Sequence, residues 1–366
     1  SHGTGGLLGS IGADGPWDIK RVLGSVPVED DGSASFTIPA NTPIFLQPLD
    51  SEGKALQLMR SWMVGMPGET ISCVGCHESQ NSVVMSKLTK ASLRPPTPIE
   101  PDREVIRGFS FPHEIQPVLD RYCVGCHNGS SPPKLPEIPG IVYPTDLHCD
   151  QDNGEGLVDL RGTEYITDWT SGHGGNCGGG ARGGNFPISY VALERYVRRN
   201  GIEGPLRMLS PGEFHADTTE LVQMLRDGRH YNVRLDAESW KRLTTWIDLN
   251  APCHGTWAAV GEQPAQRVAQ VNERRIELAS LYANIVTDYE QQEPLPEPAP
   301  FQPPSPRNTT ANSNVASDDI ADWPFSAEQA AARVKDASPQ LVDIGGGVHV
   351  ELVPVPAGRY VDAEGM

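Results

Sequence analysis

The sequence predicts an α+β multidomain protein: a small antiparallel β-sandwich, then a mainly helical domain, then a Pro-rich linker that leads into the start of a further domain. Three observations predict it. Residues 22–57 break short β-prone runs with the turn words DDGS, PAN and DSEG, which are hairpin signals at strand spacing. Between 109 and 260, apolar residues recur at three- and four-residue steps, and the runs end at Gly or at Asn-Ala-Pro. Residues 292–320 have the proline and small polar composition of a stiff, extended connection.

Taken in order, residues 1–82 form the β-rich domain, which closes on the exposed bend GMPGET and the word SCVGCHES. Residues 83–108 are a crossover, because LRPPTPIEPDRE is too proline-rich to be helical. The helical domain, 109–260, opens with FPHEIQPVLDRYCVGCHNG. Pro112 suits a first helical turn, and Ile115, Val118, Leu119 and Tyr122 fall at helical spacing. Its later helices are SYVALERYVRRNG, TTELVQMLRDG and DAESWKRLTTWIDLNAP. Residues 261–291 make one more polar helix, 292–320 the linker, and 321–366 a truncated domain with the helix WPFSAEQAAARV and alternating strands after it.

Four of seven cysteines lie in two copies of C-x-x-C-H, fifty residues apart: Cys73, Cys76 and His77, then Cys123, Cys126 and His127. Two thiols on one turn of backbone can form thioethers to the two vinyl groups of a haem, and the next histidine is then held against the iron. A zinc knuckle would place its second pair within about 12–20 residues, and a thioredoxin-like pair has no need of the repeated histidine. The cofactors predicted are therefore two covalently bound haem c groups, with His77 and His127 as iron ligands.

Of the remaining cysteines, Cys149 and Cys177 either pair across a glycine-rich loop or stay as buried thiols, and Cys253 is left over. In DLHCDQDNGEG, Asp150, Asp152, Asn153 and Glu155 offer oxygen donors for calcium, but not at EF-hand spacing; a solvated acidic loop is the competing reading.

With 47 acidic against 29 basic side chains the net charge is −18, which excludes nucleic acid as a natural partner. No run approaches the roughly 18 apolar residues of a membrane span. Haem c is attached outside the cytoplasm, yet the first residues carry no signal-peptide pattern, so a piece of a longer periplasmic or extracellular protein is expected.

Residues 12–78, from GADGPWDIKRVLGSVPVEDDG to ETISCVGCHE, resemble the middle domain of the hydrazine synthase alpha subunit and its relatives. FSFPHEIQPVLDRYCVGCHNG and ELVQMLRDGRHYNVRLDAESWKRLTTWIDLNAPCHGTW resemble the C-terminal haem domain of the same family, and the helix running into C-x-x-C-H is similar to a class I type cytochrome c fold. Residues 323–360 are similar to the entrance of a formylglycine-generating (sulfatase-modifying) type domain. For the second haem, the resemblance implies His230 in DGRHYNV as the distal ligand, with His215 in GEFHADT as runner-up and His254 a packed loop histidine. For the first haem it implies His2, beside a glycine-rich turn, or His113, on the helix before the second motif; a histidine from another subunit is the third choice. His148, His173 and His349 receive no ligand role.

In that family a tyrosine four residues after the first motif histidine is an iron ligand; Asn81 stands there in this chain, and an amide is a poor iron ligand. Ordinary ligation by His77 is therefore implied. Histidine on both sides saturates iron and leaves electron exchange, whereas an open position admits substrate. The function expected is electron transfer outside the cytoplasm, to redox partner proteins or along identical subunits in a wire-like assembly. The alternative is a haem enzyme acting on a small nitrogen compound or a peroxide.

Overall fold

The computed structural model describes residues 11–12, 18–59, 61–75, 88–101, 106–130, 134–139, 157–165, 186–198, 209–260, 265–291, 293–305, 340–343 and 349–352. Two compact units emerge, Ser1–Pro306 and Arg307–Met366.

In the first unit the helices are α1 (Phe111–Glu114), α2 (Gln116–Tyr122), α3 (Ile188–Glu194), α4 (Glu220–Asp227), α5 (Ala237–Asp248), α6 (Trp257–Val260) and α7 (Ala265–Ala283). One continuous core joins α1 to α5. Its centre is Phe111, set edge-on to Tyr190 with ring centroids 5.3 Å apart and tilted against Trp246 at the same separation. Both polar tips in this cluster are satisfied: the Tyr190 hydroxyl donates to the Ala251 carbonyl at 2.8 Å, and Trp246 Nε1 donates to the Pro252 carbonyl at 2.9 Å. Large aromatic groups can therefore be wholly buried without an orphaned donor.

The expected β-sandwich does not form. Among the described residues before 340 there is no β-strand; residues 18–101 make only isolated bridges, such as Ser25 to Glu100, Ile44 to Met63 and Leu49 to Ala55. Pro27, Pro39, Pro43 and Pro48 interrupt every β-prone run, and a proline cannot donate to a ladder. Nor is there a second inner face, since Val28, Leu49 and Val64 are exposed while Ile19, Ile44, Ala55 and Ala91 are buried. A sandwich needs two such faces in contact. Among its described residues the first unit is helix and coil.

What replaces a ladder is a polar seam. The buried Asp248 side chain, at the end of α5, accepts from the Ala55 and Ala216 backbone N–H groups at 2.8 and 2.9 Å, and its carbonyl accepts from Gln47. Lys54, 4% exposed, sits among Asp50, Glu52 and Asp217, whose carboxylates hold its ammonium well above the usual lysine range against the cost of burial. A second join is backbone on backbone: a Cβ on Gly108 would lie 1.8 Å from the Gly255 carbonyl oxygen, and the Phe111 N–H bonds the Cys253 carbonyl at 2.9 Å. Only glycine permits that crossing.

In the second unit β1 (Gln340–Asp343) pairs antiparallel with β2 (His349–Leu352), Gln340 opposite Leu352 and Asp343 opposite His349. No helix among the described residues is long and apolar enough to cross a membrane.

Candidate functional site

Helix α2 anchors Val118, Leu119 and Tyr122 in the core, and its hydrogen bonding carries straight into the second motif. The Cys123 N–H bonds Leu119 at 2.8 Å, and the N–H groups of Cys126 and His127 both return to the Cys123 carbonyl, at 3.0 and 2.9 Å. One tight turn thus gathers Cys123, Cys126 and His127. Burial, with Cys126 and Asp120 nearby, pushes the Cys123 thiol up to about 12.

The His127 ring is fixed by the segment after it. Its Nδ1 lies 3.1 Å from the Val158 carbonyl oxygen, and its own backbone carbonyl accepts from Leu160 at 3.0 Å. A carbonyl can only accept, so Nδ1 carries the proton and the Nε2 lone pair is left for a ligand. Burial, then the neighbouring His230, pulls the ring down to about 4, so His127 is neutral at pH 7, the form that binds iron.

His230 comes from the turn between α4 and α5. Gly228 ends α4 in the left-handed region at φ 68°, and Tyr231 and Asn232 follow at 47° and 59°. The Asn232 N–H bonds Gly228, and the Val233 N–H bonds His230, at 3.1 and 3.0 Å. Helix α5 then starts at Asp236, whose side chain accepts from the Ser239 N–H at 2.7 Å. The turn sets the His230 ring opposite His127, with centroids 5.7 Å apart and planes 29° from parallel. Metal–nitrogen bonds of about 2 Å allow two imidazoles that share one ion to have centroids up to about 6 Å apart. Among the described residues no group of three or more His, Cys, Asp and Glu converges on a bare ion. Two facing imidazoles beside two thiols fit a group that brings its own equatorial donors, which is what haem does.

A stretch of extended chain lies over this site. A Cβ on Gly125, between the two cysteines, would meet three ring atoms of Phe301 at 2.5 Å. Gln302 bonds Arg121 twice, backbone N–H to carbonyl at 2.6 Å and guanidinium to side-chain oxygen at 3.1 Å, and Asn232 donates to the Ser305 carbonyl at 3.1 Å. Sequence reading had no hold on the Val158 carbonyl, 31 residues from His127. The lone aromatic in PEPAPFQPPSP was the available signal for Phe301.

The other predicted residues are dispersed. His113 has both ring nitrogens engaged, Nδ1 with Ser110 Oγ at 2.9 Å and Nε2 with the Glu293 carbonyl at 3.1 Å. His215 is buried with no partner on either ring nitrogen among the described residues and with backbone φ 91°, and burial lowers its pKa to about 4. His254 stacks on Phe186 at 5.2 Å. Of the first motif, Cys73 is exposed, and the next residue, Val74, is more than half exposed. Cys76, His77, Asn81, His2, Cys149, Cys177 and the acidic loop with Asp150 and Glu155 lie outside the described residues.

A family model described as the hydrazine synthase alpha subunit middle domain matches residues 2–78. The first part of the chain is similar to that domain. The hydrazine synthase subunit alpha of Kuenenia stuttgartiensis is 21% identical over 189 residues, covering 37% of this chain and 23% of that protein. The chain thus spans under a quarter of that relative's length. No solved structure matches.

Proposed function

We propose that this protein is a dihaem c-type cytochrome that transfers electrons outside the cytoplasm. The observation that carries the reading is the His127–His230 pair, two imidazoles with ring centroids 5.7 Å apart beside two thiols on one turn. Cys123 and Cys126 would hold one haem c and His127 and His230 its two axial positions; Cys73, Cys76 and His77 would hold the other, with His2 as its candidate sixth ligand. A haem so held supplies a one-electron couple. Iron held by two histidines would have no place for substrate. Partners are redox proteins or identical subunits, and residues 321–366 are the entrance to a formylglycine-generating type domain. Calcium at the loop carrying Asp150 is a lesser proposal on its oxygen donors alone.

The similarity to hydrazine synthase supports a second reading, a haem enzyme acting on a small nitrogen compound or a peroxide. Peptide mass and ferric magnetic circular dichroism separate the two. Electron transfer predicts two haem-bearing peptides and two low-spin haems; a high-spin haem with turnover of hydroxylamine, nitric oxide or peroxide would establish the enzyme instead.

A further inference from the structure

We infer that residues 293–305 are a built-in wall of the second haem site, with Phe301 as a positioning residue that fixes the motif turn and keeps water from it. This rests on the reading that a haem is attached at Cys123 and Cys126.

The segment touches each part of the site in chain order. At its start the Glu293 carboxylate pairs with Arg107, and its carbonyl meets His113 Nε2, which ties it to the helix leading to the motif. Phe301 then lies against Gly125, inside the motif itself. Gln302 holds the last turn of α2 through Arg121, and Ser305 reaches Asn232, two residues past His230. One strand of chain thus bridges the turn bearing His127 and the turn bearing His230.

The sequence is suited to this. Pro294, Pro296, Pro298, Pro300, Pro303 and Pro304 preset an extended backbone with few donors of its own, so laying it down costs little chain entropy and leaves few N–H groups unpaired. Gly125 is required where the aromatic ring approaches, since any Cβ would collide with it. Excluding water from a haem disfavours the more positive ferric state, so the wall holds the second haem's potential up.

The test uses the full chain with both haems, in wild type and in Phe301→Ala, Phe301→Leu and Gln302→Ala. Peptide mass establishes attachment at Cys123 and Cys126, and spectroelectrochemical titration with the ferric spectrum follows both haems. The expected result is a downward shift of one midpoint in Phe301→Ala with the low-spin spectrum kept, largely restored in Phe301→Leu and smaller in Gln302→Ala. Attached haem with both midpoints unmoved in Phe301→Ala and Gln302→Ala overturns the inference while leaving the dihaem reading intact. A wild-type peptide without haem overturns the reading and the inference with it.

Discussion

At His127 a single hydrogen bond decides what the side chain can do. Because Nδ1 is committed to Val158, Nε2 is the nitrogen left for the proposed iron, and the His230 ring centroid lies 5.7 Å from that of His127. His230→Ala is expected to convert one haem from low-spin to high-spin or weakly ligated, read in the ferric spectrum; an unchanged spectrum would remove His230 as a ligand. His215 and His254 raise a different matter, since burial brings each down to about 4 against about 6.5 unfolded. The stability gained by keeping these rings neutral is complete above pH 6.5 and is lost as the pH falls toward 4, on the order of 1–3 kcal/mol for each. Urea midpoints should therefore fall between pH 7 and 4.5, and His254→Phe, which keeps the stack on Phe186, should flatten that fall. The turn that gathers Cys123, Cys126 and His127 was legible because its residues stand together in the sequence. Val158 was not, because it contributes a backbone oxygen, and any residue has one.

Helix α4 and the turn after it show how an element aims a side chain. Gly228 closes the helix in a conformation that costs a residue with a side chain about 1 kcal/mol, and an added Cβ would lie 2.7 Å from Arg234 Nη2. Gly228→Ala is expected to lower the melting temperature by a few degrees and to admit a high-spin fraction, as His230 loses its register. Asp236→Ala removes the α5 cap and the 2.7 Å ion pair with Arg121, for a loss of about 1 kcal/mol in a denaturant titration. Helices of this kind announce themselves through period and caps. The N-terminal runs announced strands through composition, but Pro27, Pro39, Pro43 and Pro48 prevent ladders, and side-chain bonds to distant backbone take their place.

Across the first unit, long-range polar joins hold what the small number of buried residues in 18–101 cannot. Lys54→Met would leave Asp50, Glu52 and Asp217 without their shared cation beside the Asp248 seam. Because those carboxylates are partly in water, the expected loss is about 1–3 kcal/mol, seen as a lower denaturant midpoint. An equal midpoint would show that the apolar contacts suffice. None of this seam is legible in the sequence, since its partners stand about 160 and 190 residues apart. The backbone crossing of Gly108 and Gly255 has a consequence of another kind. The helical stretch between them enters and leaves at one point, so its two ends already touch. Within the whole unit, where its partners in 18–101 stay in place, such a segment suits new termini elsewhere made by joining the old ones.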